Sequence, residues 1–170
     1  MYTTNDLLFC LLESCSDGLE SSKLIYYMYV FQLAGFDFKF KYRLTTSGMT
    51  CKQLNNYLSE VVNLDKVEIT NGVVTLTTLG RLYYDNVVLT ASEWDKINYI
   101  KSVLDALNEE ELLFVCITHI IVYDVLRDYG VDGLISQKEK IQQSLSVLSS
   151  EYSDDNFNTA LKFIRKVKES

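Results

Sequence analysis

Apolar side chains at Leu7, Leu8, Leu11 and Leu12, with Cys15 next, recur at helical spacing and predict a helix over residues 5–15. Asp17-Gly18 breaks the pattern. Ser21 or Ser22 is then placed to cap a second helix, "KLIYYMYVFQLAG", which should stop at Gly35 in a left-handed cap. That helix is apolar nearly all round and so belongs at the centre of the fold. In residues 36–44 the period changes to two. Phe36, Phe38, Phe40, Tyr42 and Leu44 alternate with Asp37, Lys39, Lys41 and Arg43, which predicts a half-buried strand or extended segment with a basic outer edge.

After a "TTSG" loop, Thr50 is the expected cap of a third helix, "CKQLNNYLSEVVNL". Its apolar face is Cys51, Leu54, Tyr57, Leu58, Val61 and Val62; its outer face shows Lys52, Gln53, Asn55, Asn56, Ser59 and Glu60. "KVEIT" and "VVTLT" flank Asn71-Gly72, the signal of a type I′ hairpin. Thr77 or Thr78 then caps a short helix, "LGRLYYDNVV". Gly80 inside it costs about 1 kcal/mol against alanine, which points to close packing there. From Leu89 onward the pattern is helical only. "TASE", "NEEE" and "SQKE" read as caps of helices to about Leu107, Tyr129 (closed by Gly130) and Leu148, and Ser153 caps the last.

These elements predict a mainly α fold with a small β-hairpin (α+β). Residues 1–89 form a winged helix-turn-helix-like half, and residues 90–170 a helical extension packed on it as one compact unit. The 170 residues fit that size, and a hydrophobic share of 48% supplies a core. With no proline, turns fall to Gly, Asn, Asp and Ser.

The net charge of −7 divides unevenly: 7 basic less 9 acidic residues gives −2 for residues 1–89, and 9 less 14 gives −5 for residues 90–170. Neither half is broadly basic, which lowers the expectation of nucleic-acid binding. Cys10, Cys15, Cys51 and Cys116 form no CxxC pair and His119 is the one histidine, so no metal site is expected. The N-terminus lacks a signal peptide's basic region, and the longest apolar run is too short for a bilayer. A reduced cytoplasmic protein without membrane contact is the expectation.

His119 reads first as a hydrogen-bonded core residue, because a lone histidine in an apolar helix usually is one. The acidic pairs at Asp154-Asp155 and Glu109–Glu111 sit at helix starts, where the dipole explains them. No phosphate-cradling glycine motif occurs, so no cofactor is expected. Two surfaces remain. One is a basic edge of Lys39, Lys41 and Arg43, joined by Lys52, Asn55 and Asn56 on the third helix, with Arg81 behind the hairpin. Its plain reading is a solvated face. The other is Tyr26, Tyr27 and Tyr29, either core or an interface to a partner or a second copy. The hairpin tip, "EITNGVV", offers no cation to a phosphate.

The run "SSKLIYYMYVFQLAG", then "YRLTTSGMTCKQLNNYLSEVVNLDKVEI", a hairpin and "LTTLGRLYYD" resembles the Panacea antitoxin domain and its relatives over about residues 5–125. "KLIYYM" matches that family's "KLLYLL"-type helix. "SGM" stands where its "YGP" turn would, keeping Gly48, and "EELLFVCITH" ends in its Thr-His pair, Thr118-His119. The absence of the family's proline after Gly48 and the absence of its "EPPW"-like tail after His119 are departures. The resemblance implies a non-enzymatic protein that binds another protein, often a toxin, with structural or interface roles for Gly48, Thr118 and His119. The resulting expectation is a non-catalytic protein-binding module, antitoxin-like or active in phage–host conflict. The alternatives are a DNA-binding winged-helix regulator and an acidic inhibitor that mimics nucleic acid through the −5 half.

Overall fold

The computed structural model describes residues 4–45, 48–85, 87, 89–149 and 152–169. The predicted "TTSG" loop and the Ser47 of "SGM" lie partly or wholly outside them, as do two residues at the end of "LGRLYYDNVV". The described residues form α1 (Thr4–Glu13), β1 (Leu19–Glu20), α2 (Ser21–Leu33), β2 (Arg43–Thr45), β3 (Gly48–Thr50), α3 (Lys52–Asn63), β4 (Val67–Thr70), β5 (Val73–Leu76), α4 (Thr78–Tyr84), α5 (Ala91–Leu104), α6 (Glu109–Ser136), α7 (Lys138–Leu148) and α8 (Asp154–Glu169). The protein is mainly α with a small β part. One antiparallel sheet has the order β1-β5-β4, and β2 and β3 make a separate two-stranded ribbon.

The near-continuous apolar run of α2 makes it the central helix. Leu24, Tyr26, Tyr27, Met28, Tyr29, Val30 and Phe31 are all buried. Around it pack α5, α6 and α8, while α1 lies on β5 and α4. The main core joins both halves of the chain, from Leu7 and Phe31 to Ile100, Cys116 and Val167. A smaller cluster of Phe114, Ile117, Leu145 and Ile164 fastens α6, α7 and α8 together. Helix α2 ends in a Schellman motif: Gly35, at φ 92°, donates to the Gln32 carbonyl, and Phe36 donates to the Phe31 carbonyl. The rings of Phe31 and Phe36 close the motif 5.6 Å apart.

The hairpin has the predicted turn, with Asn71 at φ 52° and Gly72 at φ 79° and Thr70 paired to Val73. Gly80 is required by packing, because a Cβ there would stand 2.0 Å from the Lys66 carbonyl oxygen. The Thr90–Glu93 capping box is complete. So is its Asn108–Glu111 counterpart, in which each side chain receives the other residue's N–H. Ser153 accepts from Asn156 at the head of α8.

Several expectations need correction. Strand β1 has no signal in the pattern; it forms because Leu19 and Glu20 pair with Val74 and Val73. The chain therefore passes from strand to helix without a turn, Glu20 occupies the cap position without a side-chain bond, and neither Ser21 nor Ser22 caps α2. Thr50 does not cap α3, since it is paired to Arg43 in β3; the Cys51 sulfur accepts from the Leu54 N–H instead, at 3.4 Å. Ser136 lies in the last turn of α6 and donates to Gly133, so α7 begins at Gln137 without a side-chain cap. At Gly130 (φ 67°, ψ −168°) α6 leaves helical geometry, where it was expected to close, but a further helical stretch follows before α7.

Residues 36–42 join no β-ladder among the described residues. Phe36 and Phe38 are buried and Asp37, Lys39 and Lys41 exposed, so the alternation holds. Lys39, at φ 55°, breaks any strand. Two glutamine side chains take the place of a neighbouring strand. Gln32 of α2 accepts from the Phe40 N–H at 2.9 Å and donates to the Phe40 carbonyl at 3.1 Å, and Gln53 of α3 accepts from the Lys41 N–H at 2.8 Å.

Candidate functional site

The segment tied down by Gln53 delivers the basic edge to the start of α3. Lys41 is bonded through its N–H to α3's first turn, Arg43 lies opposite Thr50, and Lys52 opens the helix. All three side chains are exposed, as are Asn55 and Asn56 further along. Lys39 is exposed beside Asp37, with the two charges 3.5 Å apart. Arg81 is ion-paired with Glu13 on α1 and so is held away from this edge.

Helical spacing brings a different surface to the remaining outer face of α3. Asn55, Leu58, Ser59 and Val62 form one wall of a groove of about 590 Å³, closed on the other side by Ile69 of β4 and at one end by Ser21 and Ser22 of α2. No charged side chain lines it. Val62 and Ile69, which line the groove, expose 36% and 46% of their surface, and Leu64, just past the end of α3, exposes 50%. The hairpin tip does not project. Glu20 pairs with Val73, the first residue after the turn, and the Ser21 N–H donates to the Gly72 carbonyl at 2.7 Å. The tip is thereby clamped to the head of α2.

The tyrosines of α2 are core. Tyr26, Tyr27 and Tyr29 expose 4%, 1% and 7%, which leaves them no part in an outer interface. Tyr26 and Tyr29, three residues apart on one face of α2, each meet a residue singled out by the family resemblance. The position of a Cβ on Gly48 (φ 116°) is 3.3 Å from the Tyr26 hydroxyl, so this glycine lets the start of β3 approach α2 closely. The Tyr29 hydroxyl is 2.7 Å from His119 Nδ1. His119 is buried, as expected, and burial, with help from Lys168, lowers its pKa to about 4, so it is neutral at pH 7. Thr118 is fully buried beside it in α6.

This arrangement lacks the parts of a nucleophilic centre. Burial raises the Cys116 and Cys10 thiols, the latter to about 12, which holds them in the inert protonated form. His119 is bonded to a phenol whose own proton burial retains, not to a thiol or carboxylate. Among the described residues no group of three or more His, Cys, Asp or Glu side chains is placed to hold a metal, and no helix is long and apolar enough to cross a membrane.

No family model, curated protein or solved structure matches the chain.

Sequence reasoning identified the outer face of α3 but not its hydrophobic half. Val62 was assigned to the core side, and Ile69 belongs to a strand whose neighbours were unknown. The exposed Leu64, just past the last turn of α3, was the one signal available.

Proposed function

We propose that the chain is a non-catalytic, winged-helix-like module that works by binding a protein partner, in the manner of an antitoxin. The reading is carried by the groove between α3 and the hairpin, the place where a DNA-binding winged helix presents cations. Here it is uncharged and partly apolar. Phosphate contacts supply much of the affinity for DNA, whereas exposed Val62, Leu64 and Ile69 suit the apolar centre of a protein interface. The element order α1-β1-α2-β2-β3-α3-β4-β5, with sheet order β1-β5-β4, supports the winged-helix comparison, the β2-β3 ribbon being an insertion between α2 and α3.

The basic edge at the start of α3 favours a second reading, a DNA-binding regulator that docks on Lys41, Arg43 and Lys52. One experiment separates the two. The chain is used to capture partners from a lysate of its source and, in parallel, is tested for DNA retention at low salt. Val62→Glu with Ile69→Glu should abolish specific protein capture while circular dichroism stays unchanged. If those variants capture the same protein equally well, the groove reading fails. If instead the chain retains DNA in a salt-dependent way that Lys41→Glu, Arg43→Glu and Lys52→Glu remove, the regulator reading replaces it.

A further inference from the structure

The Tyr29–His119 pair forms part of the wall of a second cavity, of about 370 Å³, toward the opposite end of α2 from the α3 groove. Aromatic rings dominate the wall. Tyr29 and Tyr42 meet edge to face at 4.9 Å, Phe40 meets Tyr42 at 6.2 Å, and Tyr123 stacks on His119 at 5.8 Å and 23°. Leu44 and Ile120 complete the apolar part. Two polar atoms in this wall, Tyr42 Oη and His119 Nε2, are buried without a hydrogen-bond partner among the described residues. A buried unpaired donor costs about 1–3 kcal/mol, so two on residues of one cavity lining call for an explanation.

The chemistry of the pair is specific. Of the two tautomers that the Tyr29–Nδ1 contact allows, the one in which the buried hydroxyl donates gives the phenol an acceptor, and it carries the ring proton of the neutral imidazole on Nε2. Nε2–H and the Tyr42 O–H are then two unused donors in an aromatic wall. The carboxylate on the cavity's edge, Asp124, is already paired with Arg127 at 3.0 Å. The Lys168 ammonium stands outside the lining, 5.4 Å from the Tyr123 ring centroid, so the lining itself carries no unpaired charge among the described residues. It offers flat apolar surface and two donors.

We infer that this cavity binds a small, uncharged, planar aromatic or heteroaromatic ligand whose carbonyl oxygen or ring nitrogen accepts from His119 and Tyr42. Tyr123, 50% exposed and stacked over the imidazole, is the side chain that moves to admit it. Rotamer changes of exposed side chains are fast, so the cover imposes little barrier.

The test titrates benzamide, a planar ring bearing a carbonyl, into the full chain while the His119 ring resonances are followed by NMR. Ethylbenzene, which keeps the ring and lacks the acceptor, is the control. Benzamide should shift the Nε2 signal saturably, with ethylbenzene at least 10-fold weaker. Tyr42→Phe, which keeps the ring and removes one donor, should weaken benzamide about 10-fold, the loss of one hydrogen bond. A folded protein whose His119 signals do not respond to 20 mM benzamide overturns the inference, and leaves an ordered water as the partner of both donors. Equal binding of benzamide and ethylbenzene, or of wild type and Tyr42→Phe, overturns it as well.

Discussion

The neutral state of His119 has a measurable consequence for stability. Its pKa falls from an ordinary 6.5 to about 4 in the folded chain, first through burial and then through Lys168. A histidine with a depressed folded pKa binds its proton more readily when unfolded. Its contribution is therefore intact above pH 6.5 and is lost as pH falls toward 4. A shift of this size corresponds to about 3 kcal/mol lost between pH 7 and pH 4, at 1.36 kcal/mol per unit. The other groups at the imidazole do not supply a counter-charge: Tyr29 and Tyr42 remain protonated, and Asp124 is bound to Arg127. Carboxylates elsewhere also respond to acid, so the assay compares urea unfolding of wild type and His119→Gln across this pH range. The amide cannot be protonated, and the stability difference between the two proteins should shift by about 3 kcal/mol in favour of the variant on going from pH 7 to 4. In parallel, the His119 ring signals of the folded wild type should not titrate above pH 5. Parallel stability curves, or a ring titrating near 6.5, would show that burial does not hold the imidazole neutral.

Gly80→Ala should destabilise despite the better helix propensity of alanine. The gain of about 1 kcal/mol is outweighed by a Cβ only 2.0 Å from the Lys66 carbonyl, so a net loss of about 2 kcal/mol or more is expected in thermal or urea unfolding. Thr90→Ala removes the acceptor for the Glu93 N–H and should cost about 1 kcal/mol, with little change in far-UV circular dichroism. Gln32→Met keeps the side chain's bulk but leaves both backbone groups of Phe40 without their partner. A loss of about 1–3 kcal/mol is expected, with faster amide exchange confined to residues near Phe40.

Local chemistry explains which features could be read without coordinates. The Asn71-Gly72 turn needs only positive φ at two adjacent residues, and the Thr90–Glu93 box closes within four, so short patterns suffice for both. The polar outer face of α3, with Lys52, Asn55 and Asn56, follows from helical spacing alone. Strand β1 does not. Leu19 and Glu20 are too short a run to show a period, and they become a strand because β5 passes beside them. The same holds for the segment at residues 36–42, whose alternation was legible but whose partners are glutamine side chains from two helices.

The sites divide in the same way. Sequence by itself determined that the hairpin tip carries no cation, that the cysteines make no metal motif, and that α2 is buried. Only the tertiary structure decided that the tip is clamped to α2, since the Ser21–Gly72 bond joins residues 21 and 72. It alone exposed Val62 and Ile69 along one groove, because amphipathic spacing cannot say which edge of an apolar face its neighbours leave uncovered. And it alone set Tyr29 beside a histidine 90 positions away and left two buried polar atoms there without a partner among the described residues. Hydrogen bonding is a short-range, directional property of atoms in space, and its gaps do not appear in a linear pattern.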